Sequence, residues 1–305
     1  MKSRKKLDYL FITLKGMAMG AADVVPGVSG GTIAFISGIY EELITSINAI
    51  DLSLFKILRK EGFKSFWDKI NGNFLLALFI GIFISVFSLA RFLSWLLENE
   101  PILLWSFFFG LVLASVFFVG KEIKNWNFGT IAIFVAGAVV AFIITELPPN
   151  ENVESLPYLF LSGALAVCAM ILPGISGAFI LVLLGSYKTI LDAVHEQDIT
   201  IVFTVGIGAV FGLLSFARLL KWMFNHYKNL TLALLTGFIL GSLNKIWPWK
   251  KVLETKTFGD KTIVTDEMNV WPWNFDGENQ LMFAILLAII GFSLIFILEK
   301  TASRK

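Results

Sequence analysis

The stretch DVVPGVSGGT, Asp23 to Thr32, decides how this chain is built. It lies inside a hydrophobic N-terminal region, yet five of its ten residues are Pro, Gly or Ser, which end or bend helices. A second stretch, ILPGISGAF at Ile171 to Phe179, repeats the break. The 305 residues around them are 56% hydrophobic and 16% charged, with mean hydropathy +0.77, the balance of an integral membrane protein and not of a soluble domain. A backbone that leaves the helix within hydrocarbon strands its N–H and C=O groups, so such a break survives only when buried in protein or lining a wet cavity. Both breaks are therefore candidate functional positions.

Apolar segments at residues 7–25, 32–50, 73–97, 101–120, 128–145, 157–172, 177–194, 200–224, 229–247 and 280–299 predict an all-α polytopic membrane protein of about ten helices. Before the second break only about 15 apolar residues are available, roughly 22 Å of helix against a hydrocarbon core of roughly 30 Å. The broken segments are accordingly expected as re-entrant hairpins. Lys2, Arg4, Lys5 and Lys6 place the N-terminus inside, and Lys56, Arg59, Lys60, Lys64 and Lys69 follow there. The later basic loops, ending with Lys300, Arg304 and Lys305, place the C-terminus inside as well. One loop disagrees: residues 245–280 should lie outside, yet hold Lys245, Lys250, Lys251, Lys256 and Lys261. The N-terminal segment reads as retained, because Lys15 and Asp23 interrupt its apolar run.

A shift of 147 positions superposes Gly16 on Gly163, Pro26 on Pro173, Gly27 on Gly174, Ser29 on Ser176, Gly30 on Gly177, Gly38 on Gly185 and Tyr40 on Tyr187. A shift of 127 then superposes Gly81 on Gly208, Arg91 on Arg218, Trp95 on Trp222 and Gly110 on Gly237. The chain thus reads as two copies of one unit, 1–150 and 151–305, the second carrying the extracellular loop 245–280. Each unit crosses an odd number of times whether its broken pair spans or turns back, so the copies are expected in opposite senses, an inverted-topology repeat.

Within each break, proline ends the first half-helix, glycine permits the turn, and Ser29 or Ser176 can cap the next half-helix. Ser29, Gly30, Gly31, Thr32, Ser176 and Gly177 would then offer amide hydrogens to an anion, with Pro26, Gly27, Pro173 and Gly174 making the bends. A packing kink would use the same small residues. Two corresponding copies point instead to a binding site. Arg91 and Arg218, each in a run ARxLxW, either snorkel to the headgroups or face inward as forks for a phosphate. Lys15 is an anion contact, a partner for Asp23 or a snorkelling side chain. Asp23, matched by Met170, is a membrane carboxylate and a candidate for ion coupling or for capping local amides. Glu41 and Glu42 are coupling candidates or solvated side chains. Tyr40, Tyr187 and the tryptophans of WPWK at Trp247 and WPWN at Trp271 read as interfacial belt residues. Cys168 reads as an inert buried thiol, and His195 and His226 as loop residues without ligand spacing. Neither a metal nor another cofactor is expected, and no basic patch with interleaved aromatics suggests nucleic acid.

These residues carry a resemblance. GMAMGAADVVPGVSGGTIAFISGIYEEL, with the later ILPGISGAFILVLLGSY, resembles the bacterial polyprenyl-phosphate transporter family of the PopT type, over nearly the whole chain. The resemblance implies a multi-pass protein of the bacterial plasma membrane. Its substrate would be undecaprenyl phosphate, moved from the outer to the cytoplasmic leaflet for reuse. It marks Asp23, Pro26, Gly27, Ser29, Gly30, Gly31 and Thr32, then Pro173, Gly174, Ser176 and Gly177, as the core. The bilayer and a polyprenyl phosphate are the expected partners, and the absence of a G-x-x-x-x-G-K-[ST] motif points to an ion gradient as the drive. Two alternatives stand beside it. Membrane undecaprenyl-pyrophosphate phosphatases have a loop similar to Pro-Gly-x-Ser-Arg-Ser, but Gly30 and Gly177 replace the arginine that would stabilise transition-state charge, so no enzyme is expected. A secondary carrier of a small anion or cation would use the same broken helices.

Overall fold

The computed structural model describes residues 4–25, 28–150, 153, 155–258 and 261–302. The first half runs α1 (Lys6–Val24), α2 (Gly30–Ile36), α3 (Tyr40–Asn48), α4 (Ser53–Lys69), α5 (Gly72–Asn99), α6 (Pro101–Glu122) and α7 (Phe128–Glu146). The second runs α8 (Leu156–Ile171), α9 (Gly177–Leu183), α10 (Tyr187–His195), α11 (Ile199–His226), α12 (Lys228–Ser242), a hairpin of β1 (Lys250–Phe258) and β2 (Lys261–Asn269), and α13 (Leu281–Ala302). Five helices among the described residues are long and apolar enough to cross a membrane, and α9 with α10, bent by 106°, would add a sixth. The protein is a polytopic, essentially all-α membrane protein.

The helix ends follow from local chemistry. Pro101 opens α6, where its missing N–H is no loss. Asn127 caps α7 by accepting the Thr130 amide at 2.9 Å, and Asp198 caps α11 by accepting those of Thr200 and Ile201 at 2.9 and 3.2 Å. The element starts repeat the sequence offsets: Gly30 and Gly177, then Tyr40 and Tyr187, lie 147 apart, while Gly72 and Ile199, then Pro101 and Lys228, lie 127 apart. Helix packing repeats as well. α1 lies against α5 and α8 against α11, whereas α6 pairs with α13 and α12 with α7, so the last two helices of each unit are exchanged. Glycine permits these crossings: a Cβ on Gly16 or Gly81 would strike the facing backbone of Leu78 or Thr13, and one on Gly163 or Gly208 that of Val205 or Phe160.

Three features depart from expectation. Segments 32–50 and 177–194 are not continuous helices but break again, at Gly38 (φ +72°) and Gly185 (φ +68°), a left-handed backbone that glycine alone adopts freely. α4 fills a stretch expected to be a loop. The loop 245–280 folds into the β-hairpin, in which Lys250 pairs with Asn269 and Lys251 with Met268. Lys245 and Lys250 share Glu267, at 2.8 and 2.6 Å, and Lys251 binds Asp276 at 2.9 Å. Burial lowers the pKa of Lys250, with Glu267 opposing. Burial would raise that of Glu267, but Lys250 and Lys245 outweigh it and hold the carboxyl below its usual range. Glu267→Gln, which leaves Lys250 buried without its counter-charge, is expected to cost about 3 kcal/mol. A lowered thermal midpoint in detergent, with first loss of protease resistance at the hairpin, is the measurement.

The aromatic residues also divide differently from a simple belt. Trp271 and Trp273 are exposed and stacked at 5.2 Å, but Trp249 is buried and donates to Asn279 O at 2.8 Å, forming the base of the hairpin. Tyr40 does not face lipid. It is 2% exposed, wedged edge-on between Phe35 and Phe224 at 4.8 and 6.0 Å. Cys168 is half-buried, and His195 and His226 end α10 and α11 and do not lie in loops.

Candidate functional site

The two breaks meet inside the protein. Ser29 caps α2, its hydroxyl oxygen accepting the Gly31 amide at 3.1 Å. The same hydroxyl donates toward the carbonyls of Met170 and Leu172, at 3.3 and 3.2 Å, where α8 ends. Thr32 Oγ1 in turn accepts the Gly174 N–H at 2.8 Å. Ser29 and Thr32 are each 1% exposed, so two hydroxyls of the first copy satisfy the bared backbone of the second in a site closed to water.

Close approach makes this contact possible. A Cβ on Gly31 would lie 2.6 Å from Ile171 O and 2.9 Å from Met170 O. Gly174, at φ +91°, takes the backbone that the turn after Pro173 requires, and a Cβ there would also meet Ser242 Oγ at 2.6 Å. The Asp23 carboxylate completes the first copy, accepting the Gly30 amide at 2.7 Å. The amides of Gly30 and Gly31 are therefore occupied by internal oxygens, not bare as the sequence reading expects.

The second copy differs. Ser176 stands at the N-cap of α9 without a side-chain cap bond, and the Gly177, Ala178 and Phe179 amides meet no internal acceptor among the described residues. Ser176 and Gly177 are half-buried and Ala178 is exposed. The ring of Phe179, at the position of Thr32, lies under the Lys245 ammonium at 5.0 Å. One copy is closed on itself and its partner; the other is open.

Comparison with known proteins places the chain in a family. The model of the VCA0040-like family, described as undecaprenyl phosphate translocase-like, matches residues 19–263, which contain both breaks. The chain belongs to this family. A relative from Vibrio cholerae serotype O1 (strain ATCC 39315 / El Tor Inaba N16961), named "Polyprenyl-phosphate transporter", is 44% identical to this VCA0040-like chain over 305 residues, 98% of the chain and 99% of the relative. A Staphylococcus aureus (strain NCTC 8325 / PS 47) protein of the same name is 33% identical over 254 residues, 77% of the chain and 85% of the relative. No solved structure matches.

The other expected site residues of this VCA0040-like protein fall in several places. Lys15 donates to Ser37 O at 2.6 Å, at the C-cap of α2, where a positive charge meets the negative end of the half-helix. The corresponding carbonyl of the second copy, Leu184 O, accepts the Tyr158 hydroxyl at 3.0 Å. Each short helix is thus held at its far end by a donor from the helix before it, a pairing that sequence alone hid because the donor types differ. Glu42 binds Arg4 through both oxygens, at 2.7 and 2.5 Å, and accepts from Asn71 Nδ2 at 2.7 Å. Glu41 pairs with Lys228 at 2.6 Å. Both glutamates therefore tie the start of α3 to neighbouring elements. Arg91 and Arg218 are exposed on α5 and α11 and are not brought to the interlocked breaks. Pro173 and Gly174 are buried, while Pro26 and Gly27 lie outside the described residues.

Proposed function

We propose that this protein carries polyprenyl phosphate, undecaprenyl phosphate in the first instance, from the outer to the cytoplasmic leaflet of the bacterial plasma membrane, returning the carrier lipid for reuse. It acts as an ion-gradient-coupled transporter and not as an enzyme. The observation that carries the reading is the buried contact of Ser29 and Thr32 with the backbone at Met170, Leu172 and Gly174, which joins two broken helices in a chain whose relatives are named for this lipid. The halves 1–150 and 151–305 lie in opposite senses, a reading supported by the repeated element offsets and the exchanged pairing of α6, α7, α12 and α13.

In this reading the phosphate first meets Ser176 and the open amides beginning at Gly177, while the isoprenoid tail stays among lipid. Arg91 and Arg218, exposed along α5 and α11, meet headgroups at the protein's lipid-facing edge. On the closed side the Asp23 carboxylate already sits where an anion would sit, on Gly30 N–H. Taking up a proton removes its charge and lets the phosphate compete for the Gly30 amide, next to Gly31 and Thr32, which couples headgroup transfer to a proton. Lys15 adds positive charge along α1, and Glu41 and Glu42 set the ion pairs that the start of α3 must exchange on moving.

Reconstituted vesicles with labelled undecaprenyl phosphate test this reading. Protein-dependent loss of label from one leaflet, accelerated by an imposed proton gradient, is the expected result. No transfer under any imposed gradient would overturn it, and release of inorganic phosphate from undecaprenyl diphosphate would replace it with a hydrolase.

A further inference from the structure

α4 occupies the difference between the two sequence offsets, so the first unit contains it and the second does not. Its 17 residues hold Lys56, Arg59, Lys60, Lys64 and Lys69 against Glu61 and Asp68. A straight helix of that length would run roughly 25 Å. Instead the chain turns at Gly62 (φ +83°), and the Lys69 ammonium reaches Asp51 Oδ1 at 3.0 Å and also the Ser53 hydroxyl. α4 is therefore two short arms folded back into a closed loop. Buried Leu54 and the bond from Trp67 Nε1 to Asn73 Oδ1, at 2.9 Å, fix that loop against the body of the protein.

What remains outward has a definite chemistry. Leu52, Phe55 and Phe63 are 89, 78 and 63% exposed, and Phe63 stacks on Trp67 at 5.6 Å. Beside them Lys56, Arg59, Lys60 and Lys64 are exposed and have no ion-pair partner among the described residues. Water accommodates the cations but not the large apolar side chains, and hydrocarbon the reverse. A lipid interface takes both, apolar groups into the acyl boundary and cations onto phosphates. Connectivity puts α4 there: only Ile70 and Asn71 separate it from α5, whose span begins at Gly72. The charge rule places this end of α5 on the cytoplasmic side, where anionic lipid is enriched.

We propose that α4 docks on the anionic phospholipid surface of the cytoplasmic leaflet, with Leu52, Phe55 and Phe63 inserted and Lys56, Arg59, Lys60 and Lys64 holding headgroup phosphates. It is a lipid contact separate from the interlocked breaks, and it requires no transport to be observed.

The test uses the full chain with Cys168→Ser and Phe55→Cys, labelled with an environment-sensitive fluorophore, in vesicles of phosphatidylcholine alone or with phosphatidylglycerol added. With phosphatidylglycerol the emission should shift to the blue and be quenched by brominated acyl chains, and added salt should reverse both changes. Each cation should contribute about fivefold to the partitioning. Lys56→Gln, Arg59→Gln, Lys60→Gln and Lys64→Gln together should thus abolish the response to phosphatidylglycerol. The salt arm needs no variant and stands if the fourfold variant fails to fold. Equal spectra in the two lipids, a folded fourfold variant that still responds, or a change produced only by an acidic soluble protein would each overturn the proposal.

Discussion

Gly31→Ala is expected to separate the two breaks and stop transport, at a stability cost of about 3 kcal/mol, the upper end for overpacking, because the atoms in the way are backbone. The new methyl group would stand 2.6 Å from Ile171 O and 2.9 Å from Met170 O, and carbonyls cannot rotate aside as a side chain would. Relief requires α2 to withdraw from the end of α8, which breaks the Ser29 contacts with Met170 and Leu172 and takes Thr32 away from Gly174 N–H. The protein supplies its own control. Ala178 holds the corresponding position of the second copy, where it is exposed, so Ala178→Gly should change stability by no more than about 1 kcal/mol, the helix propensity difference. Thermal midpoints and leaflet transfer of both variants decide the matter; equal effects would mean that the interlock has no special role.

Asp23→Asn is expected to leave the fold intact and to slow transport about tenfold, with loss of its dependence on a proton gradient. The amide oxygen can still accept the Gly30 N–H now held at 2.7 Å, so the geometry survives, but a neutral acceptor contributes about 1 kcal/mol less than a charged one. Asp23→Ala removes the acceptor as well and should destabilise the N-terminus of α2. Measuring both separates the two roles. If the asparagine variant transports at the native rate and still follows the gradient, Asp23 is a cap only and coupling resides elsewhere.

The membrane class and the element offsets were legible in the sequence because Pro, Gly and Ser interrupt apolar runs at fixed spacing. The contact of Thr32 with Gly174 was not. It joins residues 142 apart, and the position matching Thr32 is Phe179, so no symmetry argument could suggest an acceptor there. α4 was missed because its charges interrupt the apolar signal and Gly62 divides it into arms too short for a clear period. Tyr40 was misread because a phenol has a polar tip that suits an interface, whereas here the ring fills a gap between Phe35 and Phe224. The second breaks at Gly38 and Gly185 were written in the sequence as matched glycines, but a single glycine also occurs within continuous membrane helices.

The unequal copies have a mechanical consequence. An inverted repeat whose arms were alike could reach its opposite-facing shape by trading conformations, and the two shapes would have equal energy. If the halves are such a repeat, the trade would put Phe179, which has no side-chain oxygen, in the role that Thr32 plays toward Gly174 N–H, and the Ala178 methyl group in the role of the bare Gly31 Cα, where a Cβ meets facing backbone at 2.6 Å. On the proposed reading the two end states would be of unequal depth, with the one that has the first copy shut the lower.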